Sequence, residues 1–300
     1  MGDSSRDVRQ FERVLLLGPD LFPPLSATVR ADFAARSVRG AQQTQNTDHY
    51  LVVRLGRNQE TLLTSLPDDV ISSRFDEQAY GMVVADGVGA AGELAARLAI
   101  ASLLWLALRF GRWNVRVDDM IAPEIIERIN HFYRQIDSAM VTVNRTSTPP
   151  LQTTLTAVVT GGRDLFFAHV GHTRAYLLRG NELIQLTRDH THEARRRDPR
   201  ARLMDLTDVA TDMRHLLTGA IGAGTNDPEI DIERLQLDHG DTVVLCTNGL
   251  TDVLGDQDIS RILSANHSPA DQCAALARRA GELGAADDVT VVAARYHIPS

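Results

Sequence analysis

At 300 residues the chain is long for one average domain, so one domain with an extension and two smaller domains both stay open. Its 43% hydrophobic and 23% charged composition excludes a mainly disordered chain and supplies a sizeable core. A formal charge of -8 argues against sequence-independent binding to a nucleic-acid backbone as the main task. In chain order, residues 1–30, with Pro19, Pro23 and Pro24, read as an extended lead-in. The lead-in has one short apolar run, VLLLG, and neither a secretory h-region nor a small-residue cleavage site, which predicts a cytoplasmic protein.

Strands are expected at 51–55 and 81–86, and the intervening residues 56–80 read as an insertion or a long hairpin loop. Helical patterning follows at 92–110 and 119–144. The first of these, LAARLAIASLLWLALRF within it, approaches membrane-spanning length but carries Arg97 and Arg109, so it reads as a core helix buried on most of its surface. Four strands then follow one another at 153–160, 164–170, 174–179 and 182–186, joined by turns too short for helical crossovers, which makes them antiparallel hairpins. A strand at 242–247, helices at 256–264 and 268–283, and a last strand at 289–296 complete the pattern. Long helices beside consecutive strands indicate an α+β fold with antiparallel sheets. Cys246 and Cys273 form no C-x-x-C pair and read as reduced core residues.

The stretch VVADGVGAAGE contains a G-x-G-x-x-G in Gly87, Gly89 and Gly92. A dinucleotide site needs a βαβ unit with an acid about twenty residues on. Here the helix after Gly92 leads into another helix, and Asp86 directly before the first glycine would repel a pyrophosphate. The alternative is an acid at the tip of a buried strand, followed by a glycine whose bare backbone lets a cation approach. The arrangement recurs: Asn248 and Gly249 end the strand TVVLCT, Asp48 precedes HYLVV, and Asp287 and Asp288 precede the last strand. Each alone is an ordinary turn former. Together, oxygen ligands at several strand ends can converge on one hard-cation site suited to Mg²⁺ or Mn²⁺.

In their order these segments resemble the metal-dependent protein phosphatases, the type 2C serine/threonine family. QNTDHY is similar to the family's N-E-D-x motif and VVADGVGAAGELAA to its V-A-D-G-M-G-G motif, followed by TTLTAVV. AHVGHTRAYLLRGNELIQLTRDHT is similar to V-G-D-S-R-x-Y with the later T-x-D-H-S, and LTGAIG, DTVVLCTNGLTDVL and AADDVTVV complete the series. The resemblance implies a four-layer αββα sandwich, two antiparallel β-sheets flanked by helix pairs, with a dinuclear metal site at one end. Residues 1–30 then form an N-terminal extension and 31–297 a single phosphatase-like domain with a flap-like segment at about 190–215. The implied cofactors are two divalent cations, Mn²⁺ or Mg²⁺. Asp86 bridges them, the carbonyl of Gly87 adds a ligand, Asp48 serves one and Asp287 the other, and Asn248 takes a further ligand place. Two such ions about 3.5 to 4 Å apart lower the pKa of a shared water. The implied reaction is hydrolysis of phosphoserine and phosphothreonine in proteins by water attacking phosphorus, without a phosphoenzyme. The implied partner is a phosphorylated protein substrate, in opposition to a serine/threonine kinase, with no role for nucleic acid or membrane.

The chain departs from the family's pattern at several of these positions. Asn248 stands where the family has an aspartate, removing a ligand charge, and is expected to weaken binding at that ion by about tenfold to a thousandfold. His172 replaces the aspartate of V-G-D-S-R; it can bind a softer ion, act as a catalytic proton donor to the leaving group, or fill space. Gln43 stands where many members carry a phosphate-gripping arginine, and is the candidate substrate contact there. The run RRRDPRAR offers Arg195, Arg196 and Arg197 as a positive patch for phosphorylated substrates or as a solvated face. His190 and His192, in DHTHE, read as a hydrogen-bonded loop, and Arg174 as a brace for its strand turn. These substitutions leave two readings, a working phosphatase and a pseudophosphatase that binds phosphoproteins or a partner with weak or no turnover.

Overall fold

The computed structural model describes residues 29–65, 74–111, 117, 119–197, 217–224, 228–265 and 268–298. Residues 1–28 of the lead-in, and 198–216 of the flap-like segment, lie outside the described residues. In chain order come β1 (Arg30–Val38), β2 (Asp48–Glu60), β3 (Arg74–Val88), α1 (Gly92–Phe110) and α2 (Ala122–Asn144). Next are β4 (Gln152–Thr153), β5 (Leu155–Gly161), β6 (Asp164–Val170), β7 (Arg174–Arg179), β8 (Glu182–Gln185) and α3 (His192–Arg197). Then follow β9 (Asp231–Gln236), β10 (Thr242–Cys246), α4 (Asn248–Thr251), α5 (Asp256–Ala265), α6 (Pro269–Glu282) and β11 (Val289–His297).

The strands form two sheets, ordered β1-β11-β10-β7-β8 and β2-β3-β5-β6-β9, with β4 paired to the end of β3. All the strand pairs are antiparallel, as the short hairpin turns require. Period-two alternation sorts each central strand between two cores. On β3, Met82 and Val84 point between the sheets, where they meet Leu177, Val243, Leu245 and Val292 of the other sheet. Val83 and Ala85, one step out of phase, face α1 and α2 with Ala95, Ala99, Phe132 and Ile136. On β10, Val244 and Cys246 face α5 and α6 with Ile259, Leu263, Cys273 and Leu276. Burial on both faces is why these strands read as unbroken apolar runs instead of alternating ones. The outcome is helix layer, sheet, sheet, helix layer, the expected α+β sandwich.

Three expectations change. Strands β1 and β9 were not signalled, because RADFAARSV and DIERLQ mix charged with apolar residues. Each lies at a sheet edge, with one pairing partner. Residues 56–60 and 74–80 belong to strands, since β2 and β3 pair in one ladder from Asp48↔Asp86 to Glu60↔Arg74. Their polar composition hides the period. Helix α1 is only half-buried: Ala95, Ala96, Ala99 and Ile100 face the core, whereas Trp105, Leu108 and Phe110 are exposed. Arg109 lies over the Trp105 ring at 5.3 Å, covering part of that apolar surface. No helix among the described residues is long and apolar enough to cross a membrane. Both cysteines are buried and unpaired.

Helix α6 begins as the sequence indicates, with Ser268 Oγ accepting from Asp271 N at 3.1 Å and Pro269 in the first turn. Ser268→Ala is expected to destabilise the fold by about 1 kcal/mol, read as a lowered urea midpoint.

Candidate metal centre

One end of the sandwich collects the strand-tip acids. Asp48 opens β2 and Asp86 nearly closes β3, and they sit opposite each other in the antiparallel ladder. The other sheet brings Thr247 and Asn248 from the end of β10, and Asp287 and Asp288 from the approach to β11. A hydrogen bond from Thr247 Oγ1 to Asp48 Oδ2, 2.9 Å, ties the two sheets together at this point. The backbone of Asp86 is gripped from β4 and the residue after it. Its N–H donates to Thr154 Oγ1 (3.0 Å), and its carbonyl accepts from Thr153 Oγ1 (2.8 Å) and Thr154 N (2.9 Å). Both acids are thus fixed by backbone and hydroxyl groups that leave carboxylate oxygens unused.

Asp288 has a structural role. It is 1% exposed and accepts from Gly40 N (2.8 Å) and Thr47 N (2.7 Å), pinning the segment that leads into Asp48. Asp287, beside it, accepts from Gln43 Nε2 at 2.7 Å on Oδ1, with Asn248 Nδ2 at 3.5 Å from Oδ2. Asn248 Nδ2 also lies 3.2 Å from Asp252 Oδ2. Gln43 thus uses one of its two amide N–H donors on Asp287 while its side chain still lines the adjacent cavity. That cavity, about 710 Å³, is lined by Gln43, Asp86, Gly87, His172, Thr218 and Asp287 among others.

The glycines of the G-x-G-x-x-G have a packing explanation. A Cβ on Gly92 would lie 2.4 Å from the Gly87 carbonyl carbon and oxygen, and one on Gly87 2.1 Å from the Gly92 oxygen. The two backbones touch, which docks the start of α1 against the tip of β3 and holds Asp86 in place.

The electrostatics are those of clustered buried acids. Burial raises the proton affinity of both Asp48 and Asp86 above the usual carboxylate range, and at Asp86 the charges of Asp48 and Asp287 raise it further. Among the described residues no arginine pairs with Asp48, Asp86 or Asp287; the nearest basic group to Asp86 is His172, Nδ1 to Oδ2 3.7 Å. Asp48 Oδ1, Asn248 Oδ1, His172 Nδ1 and, in the cavity lining, Thr218 Oγ1 are buried without a hydrogen-bond partner. Buried orphans of this kind require an explanation, and an unbound ion is a standard one. All four can be lone-pair donors, so the residues present fit a divalent cation.

His172 sits in the β6–β7 turn. Burial holds its ring down at about 4, despite the opposing pull of Asp189 and Asp287, so it is neutral at pH 7. Arg174 forms a two-pronged pair with Asp189 (2.8 and 2.7 Å) and braces the turn, as its position suggested. Arg195 is tied to Glu229 at 3.0 Å and does not line the cavity. The side chains of Arg196 and Arg197 lie outside the described residues.

His190 is hydrogen-bonded in its loop as the sequence suggested, whereas patterning missed His169, which holds the same turn. His169 and His190 stack with ring centroids 4.8 Å apart. His169 is fully buried, and burial pushes it down to about 3. Because the folded value lies below the unfolded value of about 6.5, this group's contribution is complete above that pH and is lost as pH falls toward 3. Urea midpoints at pH 4.5 and 6.5 are therefore expected to differ less in His169→Asn than in the wild type.

A model of the family "Protein phosphatase 2C" matches residues 56–207, half the chain, and one of "Stage II sporulation protein E (SpoIIE)" matches residues 204–297. The chain belongs to the protein phosphatase 2C family. This phosphatase 2C member is 32% identical over 222 residues to the serine/threonine protein phosphatase PstP of Mycobacterium tuberculosis, covering 71% of this chain and 40% of that protein. It thus spans 40% of the length of PstP. It is 27% identical over 218 residues to the serine/threonine phosphatase stp of Listeria welshimeri, covering 70% of this chain and 82% of the relative. The crystal structure of the PstP catalytic domain, in complex with two manganese ions, aligns with a TM-score of 0.60 and 25% identity over 90% of this chain and 100% of that one.

Proposed function

We propose that this chain is a metal-dependent phosphomonoester hydrolase acting on phosphoserine and phosphothreonine in proteins. The observation that carries the reading is the meeting of Asp48, Asp86, Asp287 and Asn248 beside an open cavity, with ligand atoms left unpartnered. The relatives named as serine/threonine phosphatases support the substrate class. The cofactors are two divalent cations, Mn²⁺ or Mg²⁺, in line with the two manganese ions of the PstP structure. Asp48, Asp86 and Asp287 would hold them as anionic ligands, and Asn248 Oδ1 and the Gly87 carbonyl would add neutral oxygens. When bound, the pair supplies an activated water at neutral pH and neutralises charge developing on the phosphoryl group.

The chain's own residues position this centre. Thr247 fixes one oxygen of Asp48, Thr153 and Thr154 clamp the backbone of Asp86, and Gln43 orients Asp287. Gln43 is assigned a double role, orienting Asp287 and offering its remaining amide N–H to the substrate in the cavity. Arg195, Arg196 and Arg197 are assigned to steering of phosphorylated segments toward the cavity. Residues 31–297 act as one catalytic unit, opposing a serine/threonine kinase in the cytoplasm, a setting consistent with two unpaired buried cysteines. The neutral Asn248 favours a second reading, a phosphoprotein-binding module with little turnover.

Hydrolysis of a chromogenic aryl phosphate and of a phosphothreonine peptide separates the two. Mn²⁺-dependent turnover that chelation removes, and that falls by about 10² or more in Asp48→Asn, is expected. Equal background rates in wild type and variant would reject the enzyme and leave the binding module.

A further inference from the structure

The turn that carries His172 is held more firmly than a surface turn requires. Gly171 adopts φ +119, and a Cβ there would lie 2.5 Å from Thr154 Cγ2, so its backbone is pressed against the residue that clamps Asp86. The Gly171 N–H donates to His190 Nδ1 (3.3 Å), and its carbonyl accepts from His190 N (2.6 Å) and His169 Nε2 (3.1 Å). His190 in turn donates from Nε2 to Asp231 Oδ2 at 3.2 Å, which leaves Nδ1 as the acceptor toward Gly171. Two buried imidazoles thus lock the peptide immediately before His172.

What this locking positions is one nitrogen. His172 Nδ1 is buried without a hydrogen-bond partner and lies 3.7 Å from Asp86 Oδ2. That separation is too long for a hydrogen bond. It suits two donors to one ion, because bonds of about 2.1 Å at angles between 90° and 180° place ligand atoms about 3.0 to 4.2 Å apart. Asp48, whose Oδ1 is likewise buried and unpartnered, stands opposite Asp86 in the β2–β3 ladder.

Resting on the metal-centre reading above, we infer that His172 Nδ1 is a nitrogen ligand to a cation on Asp86, so that the centre takes a first-row transition ion in preference to Mg²⁺. An imidazole donor suits transition ions and contributes little to Mg²⁺, which demands hard oxygen ligands. The neutral amide of Asn248 acts in the same direction, by withholding the anionic charge on which a hard cation depends most.

The test is pulsed electron paramagnetic resonance of Mn²⁺ bound to the full chain, with Mg²⁺ competition read by the same signal. The wild type is expected to show ¹⁴N modulation from directly bound imidazole, and His172→Ala to retain bound Mn²⁺ without it. His172→Asp is expected to reduce the Mn²⁺ over Mg²⁺ preference by about tenfold or more, matching the replacement of a nitrogen by a charged oxygen donor. Mn²⁺ bound in the wild type without ¹⁴N modulation overturns the inference and leaves the hydrolase reading intact. Modulation that persists in His172→Ala also overturns it, assigning the nitrogen to another site such as His190 beside Glu229 and Asp231. Failure of the wild type to bind Mn²⁺ at all removes the metal centre itself. The wild-type spectrum decides the matter even if a variant does not fold.

Discussion

Asp86→Asn is expected to abolish hydrolysis and, in the same protein, to raise the melting temperature of the metal-free form. The two effects share one cause. Asp86 is buried opposite Asp48, with Asp287 nearby and no arginine paired to it among the described residues, so its charge is costly until a cation arrives. A carboxyl whose folded pKa is raised contributes stability that is complete below its unfolded value near 3.9 and is lost as pH rises through the folded value. The metal-free wild type should therefore weaken as pH rises above about 4. The asparagine keeps the shape and removes the charge, so this decline should shrink, with a gain of about 1 to 2 kcal/mol at pH 8. Saturating Mn²⁺ reverses the order. At a hundredfold excess over Kd the wild type gains about 2.7 kcal/mol by mass action, and the variant should gain far less. Turnover should fall by about 10³ or more, since an anionic ligand of the centre is lost. Thermal melts at pH 5 and 8, with chelator and with Mn²⁺, measure all of this; a variant less stable than wild type in chelator at pH 8 would show that Asp86 is not electrostatically strained.

Gly92→Ala is the second large effect, and two principles disagree about its sign. Helix propensity favours alanine over glycine by about 1 kcal/mol in a helix interior, and less at the first turn. The added Cβ, however, would lie 2.4 Å from the Gly87 carbonyl carbon and oxygen, a contact with backbone that no rotamer change relieves. Overpacking of this kind costs about 1 to 3 kcal/mol, and a clash with fixed backbone lies at the upper end, so the net change is destabilising. The displaced atoms belong to the residue after Asp86, so Mn²⁺ affinity should fall with stability. Gly89→Ala is the control. It has φ +75 and open space around it, so it should cost about 1 to 2 kcal/mol from backbone strain and leave Mn²⁺ affinity nearly unchanged. Urea titrations with and without Mn²⁺ distinguish a clash from a strained turn.

The sequence by itself determined the α+β class with antiparallel sheets and the acids, while the four-layer plan came from the family resemblance. Apolar runs such as GMVVAD and TVVLCT fix central strands buried on both faces, and an acid or amide at the tip of each is visible without any structure. That is how Asp48, Asp86, Asn248 and Asp287 were legible, together with helix α6 and its Ser268 cap. Edge strands β1 and β9 were not, because one pairing partner and a charged outer face leave no period to read. Tertiary structure decided what each of two neighbouring acids meets: Asp287 faces Gln43 beside the cavity, and Asp288 is turned into the backbone. Asp287 and Asp288 are equivalent in the string ADDV, yet Asp288 is consumed by the amides of Gly40 and Thr47, more than two hundred residues away in sequence. It likewise decided that Gln43 serves Asp287, that Gly87 and Gly92 meet backbone to backbone, and that His169 and His190 hold the turn of His172. The physical reason is that local periodicity fixes which face a side chain takes, whereas a hydrogen bond is fixed by who stands opposite. At this site the partners come from different sheets, and only the packing of one sheet on the other brings them within reach.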